Sequence, residues 1–223
     1  MSAAVSEPVA EPELAVSARA ITMRGPWGPV YGPIDLDVDA GGVTALIHPA
    51  GTGRTALLLT LAGRMKPVSG TVTVFGRSDA RKIFAVAALA NIDELDKIDQ
   101  SVTVRDLITE QLRWDAPWYR FIGQAAQSDL AATCGDVFGD IPLPDLGAYF
   151  DQIGELAQVL LRIALANTGT PPLLVVGDLD GITDDSNRAV VLERLHALGE
   201  HQTVITTSAN PVPGARAEIR VEN

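Results

Sequence analysis

The stretch Val43-Thr44-Ala45-Leu46-Ile47-His48-Pro49-Ala50-Gly51-Thr52-Gly53-Arg54-Thr55 decides the fold class. Val43–Ile47 is apolar enough to form a strand buried on both faces. The residues from Thr55 to Gly63 carry Leu57, Leu58, Leu59 and Leu61 and read as a helix. Between them lies a glycine loop. In this context backbone amides turn inward at glycines, and a helix N-terminus points at an anion, so a phosphate is held. Such a loop also needs a cation at the phosphates and a hydroxyl for Mg²⁺. Gly51, Gly53, Arg54 and Thr55 fill these four needs. Two residues depart from G-x-x-x-x-G-K-[ST]: His48 replaces the first glycine, and Arg54 replaces the lysine. Arginine keeps the charge but presents a planar fork, which is not a conservative exchange at a tight phosphate site. Taken alone, the octapeptide also suits a plain strand–helix connection.

Working outward, Ala20–Met23 and the alternating Ile34-Asp35-Leu36-Asp37-Val38 read as strands before the loop. Lys66–Gly70 is a turn into a strand at Thr71–Phe75, and another strand is expected at Ile83–Leu89. A helix begins at Val102–Ile108, capped by the Thr103 hydroxyl, with Asp106 in its first turn. Trp114, Trp118, Tyr119 and Phe121 read as apolar anchors in a poorly patterned stretch, 114–150. Helix 152–166 leads to a buried strand, Leu173–Val176, and helix 185–198 to a strand at Thr203–Thr207. A last strand is expected at Ala217–Val221. Strands alternating with helices give an α/β fold with a largely parallel sheet.

The 223 residues suit one domain with a small appendage. Seventeen basic against 28 acidic residues give a net charge of -11, which argues against a nucleic-acid-binding surface. One cysteine, Cys134, excludes an internal disulfide and suits a reducing compartment. Residues 1–17 read as a disordered, Ala/Glu/Pro-rich tail, neither a signal peptide nor an anchor. The apolar stretch Leu156–Ala166 contains Arg162 and is too short to cross a bilayer.

Residues 43–76, with Ala62-Gly63 and the turn Lys66-Pro67-Val68-Ser69-Gly70 closed by Gly76, resemble the opening of an ABC transporter ATP-binding domain. Val102–Asp106, Val159–Ala166, Leu173–Val176 and Thr203–Thr207 resemble later segments of that family, in its order. The resemblance covers about residues 18–210. It implies a P-loop NTPase-type nucleotide-binding domain over 18–223, with a mostly parallel core sheet, antiparallel edge strands and a helical subdomain at about 103–167. It also implies ATP or ADP with Mg²⁺ as ligands, a membrane permease subunit and a second nucleotide-binding domain as partners, and a place on the inner face of the cell membrane.

Carried over residue by residue, the resemblance assigns nucleotide binding to Trp27, Pro49, Ala50, Gly51, Thr52, Gly53, Arg54 and Thr55. The adenine-stacking aromatic falls at Trp27 or Tyr31, with Trp27 preferred. Thr55 and Asp178 are the metal ligands, and Asp178 is also the catalytic acid–base candidate. Without gaps, the family's Mg²⁺ aspartate falls on Gly177 and its general base on Asp178. A slip of one residue makes Asp178 the metal ligand and leaves Leu179 as the base. The glutamine-loop region holds no glutamine, with Asn91 and Glu94 as stand-ins. The signature segment is Asp151-Gln152-Ile153-Gly154-Glu155, whose acids would face a partner's polyphosphate. The switch histidine is replaced by Ala209. The resemblance therefore implies a nucleotide-binding transporter subunit with little or no ATP hydrolysis, or a pseudo-ATPase serving as an interaction module.

Overall fold

The computed structural model describes residues 13–48, 51–92, 95, 98–99, 101–177 and 179–221, with the side chain of Thr52 outside that description. Two long strands, β1 (Leu14–Gly25) and β2 (Gly28–Asp39), form an antiparallel hairpin. Then follow β3 (Gly42–Ile47), α1 (Thr52–Leu61), β4 (Ser69–Val74), α2 (Ala80–Phe84), β5 (Ala87–Ala90), α3 (Val104–Asp115) and α4 (Gln127–Phe138). The chain ends with α5 (Glu155–Ala166), β6 (Leu173–Val176), α6 (Asp185–Gly199), β7 (Thr203–Ser208) and β8 (Ala217–Arg220). Short 3-10 turns at Phe150–Gln152 and Leu179–Gly181 precede α5 and α6.

The strands form two sheets. One is antiparallel, in the order β2-β1-β4; the other is parallel, in the order β5-β6-β7-β3-β8. The parallel sheet is covered on both faces, as its apolar runs require. Along β6, Leu174 and Val176 join the core shared with α3 to α6, whereas Leu173 and Val175 join the core under α1 and the antiparallel sheet. Leu46 and Ile205 belong with the second set, Ala45 and Val204 with the first. The carboxyl ends of β3, β6 and β7 therefore open on one edge, where ligands bind in open α/β sheets.

Four expectations need correction. β1 starts at Leu14, and Ala15 and Val16 are fully buried, so the tail read over 1–17 stops short of Leu14. The strand read at 83–89 is the end of α2 plus β5: Asp79 accepts hydrogen bonds from the Arg81 and Lys82 amides and starts a helix there. In the poorly patterned middle, α4 packs Leu130, Cys134, Val137 and Phe138 into the core. Trp114, Trp118, Tyr119 and Phe121, read as anchors, are exposed. The Thr103 cap forms a capping box with Asp106. Burial pushes the Cys134 thiol up to about 12. Among the described residues no helix is long and apolar enough to cross a membrane.

The β2 backbone passes against the first turn of α1. A Cβ added at Gly53 would lie 2.5 Å from the Val30 carbonyl oxygen. Glycine is required here by a backbone crossing, apart from any ligand. Gly53→Val is therefore expected to lower unfolding stability by about 2–3 kcal/mol through overpacking, read by urea denaturation. An unchanged midpoint would show that β2 yields at no cost.

Candidate functional site

β3 ends at the centre of the open edge, where the His48 amide donates to the Ser208 carbonyl (3.1 Å) at the end of β7. The chain returns as α1. Its N-cap is Gly51, at φ 151°, with no side-chain cap and no acidic residue in the first turn. A Cβ at Gly51 would meet nothing within 4 Å, so the loop is open on that side. The Arg54 amide donates to the Gly51 carbonyl (3.1 Å), and a helix start without a side-chain cap, at the positive end of the dipole, suits an anion. Pro49 and Ala50 lie outside the described residues. Thr55, one turn along the helix, is half-buried.

Arg54 is placed differently from the cation a phosphate loop needs. It is 3% exposed, and its guanidinium folds back beneath the loop. One nitrogen donates to the His48 carbonyl, another to Asp180 Oδ2 at 3.2 Å. Asp180 also accepts from the Ser208 hydroxyl (2.8 Å) and from the Ala209 amide. Burial opposes its ionisation, but the Ala209 amide, the Ser208 hydroxyl and Arg54 outweigh it and hold the carboxyl below its ordinary range. One carboxylate thus joins the segments that follow β3, β6 and β7.

The candidate aromatics separate cleanly. Tyr31 is 2% exposed and bonds Thr60 (2.7 Å), so it is not a stacking surface. Trp27 stands fully exposed at the tip of the β1–β2 hairpin, three residues before Val30, the residue against Gly53.

Gly177 ends β6 with its amide on Ala90 (2.8 Å) and its carbonyl accepting from Thr206 Oγ1 (3.3 Å). A Cβ there would lie 1.9 Å from the Asn91 carbonyl oxygen. The position that an ungapped comparison gives to a metal-binding aspartate therefore cannot take a side chain without moving its neighbour. Asn91 is buried and accepts from Arg162 at 3.3 Å. Asp178 and Glu94 lie outside the described residues. No group of three or more His, Cys, Asp or Glu side chains that could hold a metal ion occurs among the described residues. Among the described residues Mg²⁺ is offered the Thr55 hydroxyl and no carboxylate at 177; the other metal-ligand candidate, Asp178, lies outside them.

In the signature segment the structure redirects one acid. Gly154 is the N-cap of α5 and Glu155 its first residue. Glu155 accepts from the Thr183 amide (2.8 Å) and hydroxyl (2.7 Å), and from Asn187 Nδ2 (2.9 Å). These bonds, Asn187 first and then Thr183, pull its carboxyl down to about 2. Glu155 thus serves its own chain at the start of α6, in place of the polyphosphate-facing role expected for it. Asp151 remains exposed. Sequence reading missed both carboxylate roles, Glu155 on α6 and Asp180 on Arg54.

Two outcomes follow from this geometry. Gly177→Asp is expected to lower stability by about 3 kcal/mol or more and to restore no turnover; a stable, hydrolysing variant would refute the sealed contact with Asn91. Because the folded pKa of Glu155 lies below its ordinary 4.5, its contribution is complete above that value and fades as pH falls towards 2. Glu155→Gln should therefore be less stable than the parent at pH 7, and the gap should close between pH 5 and 2 in urea titrations. A gap independent of pH would contradict the ionic role.

The ABC transporter family model matches residues 31–178. The sulfate/thiosulfate import ATP-binding protein CysA of Mycolicibacterium paratuberculosis is 26% identical over 178 residues, 78% of this chain. The chain spans 47% of that relative's length. The cytochrome c biogenesis ATP-binding export protein CcmA of Pseudomonas putida is 28% identical over 169 residues, 74% of each chain. In fold, the chain resembles cbiO1 of Clostridium perfringens, part of the ABC transporter complex cbiONQ. The TM-score is 0.66 at 15% identity, over 89% of this chain and 79% of that one. It likewise resembles a bacterial Atm1-family ABC exporter with ATP bound, with a TM-score of 0.70 at 16% identity, over 96% of this chain and 38% of the other. With the parallel sheet, the antiparallel sheet and the glycine loop in place, and with the family model covering 31–178, the chain belongs to the ABC transporter family.

Proposed function

We propose that this chain is the nucleotide-binding subunit of a bacterial ABC-type transport or export complex, and that it binds ATP or ADP with little or no hydrolysis. The observation that carries this reading is the start of α1. Its Gly51 N-cap has no side-chain cap and its first turn no acid, while Gly177, after β6, is closed to a side chain by the Asn91 carbonyl. An anion cradle is kept beside a metal position that is shut.

In this reading the backbone amides of the loop and the start of α1 hold the phosphates, Trp27 offers a face to the adenine, and the Thr55 hydroxyl would be a ligand for Mg²⁺. Phosphoryl transfer needs positioned charge more than covalent help from the protein. With alanine at 209 and glycine at 177, that charge is thin, and Asp178 alone stands for the carboxylates. The permease subunit, a second nucleotide-binding domain and a place on the inner face of the cell membrane come with the family. The exposed Trp114, Trp118 and Phe121 lie in the segment where the family meets its membrane partner, which favours a transporter subunit over a free interaction module.

Calorimetry with ATP and ADP is expected to give a Kd on the order of 0.1–1 mM, about -4 to -5.5 kcal/mol, with phosphate release at background. No heat at millimolar nucleotide would overturn the binding claim. Steady turnover abolished by Asp178→Asn would overturn the view of the chain as a poor hydrolase. Co-purification with an integral membrane protein is expected; an exclusively soluble complex would favour the interaction module.

A further inference from the structure

The charge beneath the glycine loop is already answered from within the chain. The Arg54 guanidinium is 3% exposed, and its fork is held by the His48 carbonyl and Asp180 Oδ2. The same carboxylate accepts from Ser208 Oγ and the Ala209 amide. It therefore sits where the ends of β3, β6 and β7 converge, gathering a cation, a hydroxyl and a backbone amide, the donor types that hold a phosphate oxygen. Ser208 and Ala209 follow the middle strand of the sheet; Asp180 follows its neighbour. Asp180 is not locked in by packing. Its side chain is 24% exposed, and it borders a cavity of about 550 Å³ lined along α6 by Leu192 and His196. That space gives the carboxylate room to turn away from Arg54.

We propose that Asp180 is a resident anion that competes with the ligand's phosphate for Arg54 and thereby sets the affinity of the loop. The proposal rests on the reading of the loop as a nucleotide site. It makes Asp180 a positioning residue, acting on the ligand through Arg54. While the carboxylate is in place, the guanidinium stays below the loop and phosphate meets only backbone amides. When the carboxylate turns off, Arg54 loses that contact, and the phosphate of the ligand can take its place.

The test is calorimetric titration with ADP and with inorganic pyrophosphate, both in EDTA so that no divalent metal contributes. The proteins are the full chain, Asp180→Asn, Arg54→Met and the double variant, each checked for folding by its thermal transition. Asp180→Asn is expected to tighten pyrophosphate binding roughly tenfold or more, because Arg54, released from the Asp180 carboxylate, can then bond the incoming anion. The gain should vanish in the double variant, since it passes through Arg54. A folded Asp180→Asn that binds pyrophosphate no more tightly than the parent, where the parent binds, overturns the proposal and leaves the nucleotide reading standing. Binding seen only after the substitution supports the proposal and removes the claim that the native chain is a working nucleotide site. No binding by any folded variant overturns both. A gain that survives in the double variant overturns the route through Arg54. Asp180→Ser, smaller and uncharged, replaces the asparagine variant if that one fails to fold, with the same expected result.

Discussion

The carboxylate of Asp180 is the point on which the open edge of the sheet depends. Through it the segments after β3, β6 and β7 are tied by Arg54, Ser208 and Ala209. The His48 amide on the Ser208 carbonyl and Thr206 Oγ1 on the Gly177 carbonyl also link these ends, and Asp180 adds side-chain bonds beyond them. A buried guanidinium is stabilised by a counter-ion, and the acid after β6 supplies one to the arginine in the loop. Their pairing fixes the shape of the loop and fills the place of its cation.

A second constraint acts on chemistry. At the end of β6 the backbone of Asn91 lies so close to Gly177 that a side chain has no room. A carboxylate at 177 is thus excluded by packing between two strand ends. Restoring the acid would require β5 and β6 to part beyond Ala90 and Val176, which pair in register. The opposite holds at Gly51, where the backbone is open and no side chain of the chain caps the helix. The backbone at Gly51 is open, whereas that at Gly177 has no room for a side chain.

The strand–loop–helix core was legible because its pattern is unbroken: a strand with four apolar residues in five, a glycine loop and a leucine-rich helix. The Thr103–Asp106 cap was legible for the same reason, a local signal with a local cause. The failures have physical reasons too. Ile83–Leu89 is apolar without punctuation, so the boundary between α2 and β5 is hidden, although Asp79 carried a helix-start signal. α4 shows its buried face at 130, 134, 137 and 138, but alanines and glycine dilute it, and the nearby exposed tryptophans imitate a core. Asp180 was beyond reach. It lies 126 residues from Arg54 and 28 from Ser208, and only the folded sheet brings the three together.

The central claim is that the loop keeps an anion while the metal position stays shut. A crystal structure of the chain grown with ADP and Mg²⁺ tests it most directly. The account predicts the terminal phosphate of the nucleotide within hydrogen-bond distance of the amides of residues 51–55, with Gly177 still packed on the Asn91 carbonyl. A magnesium ion seated between the phosphates and a displaced Gly177 segment, with Asn91 moved aside, would contradict it.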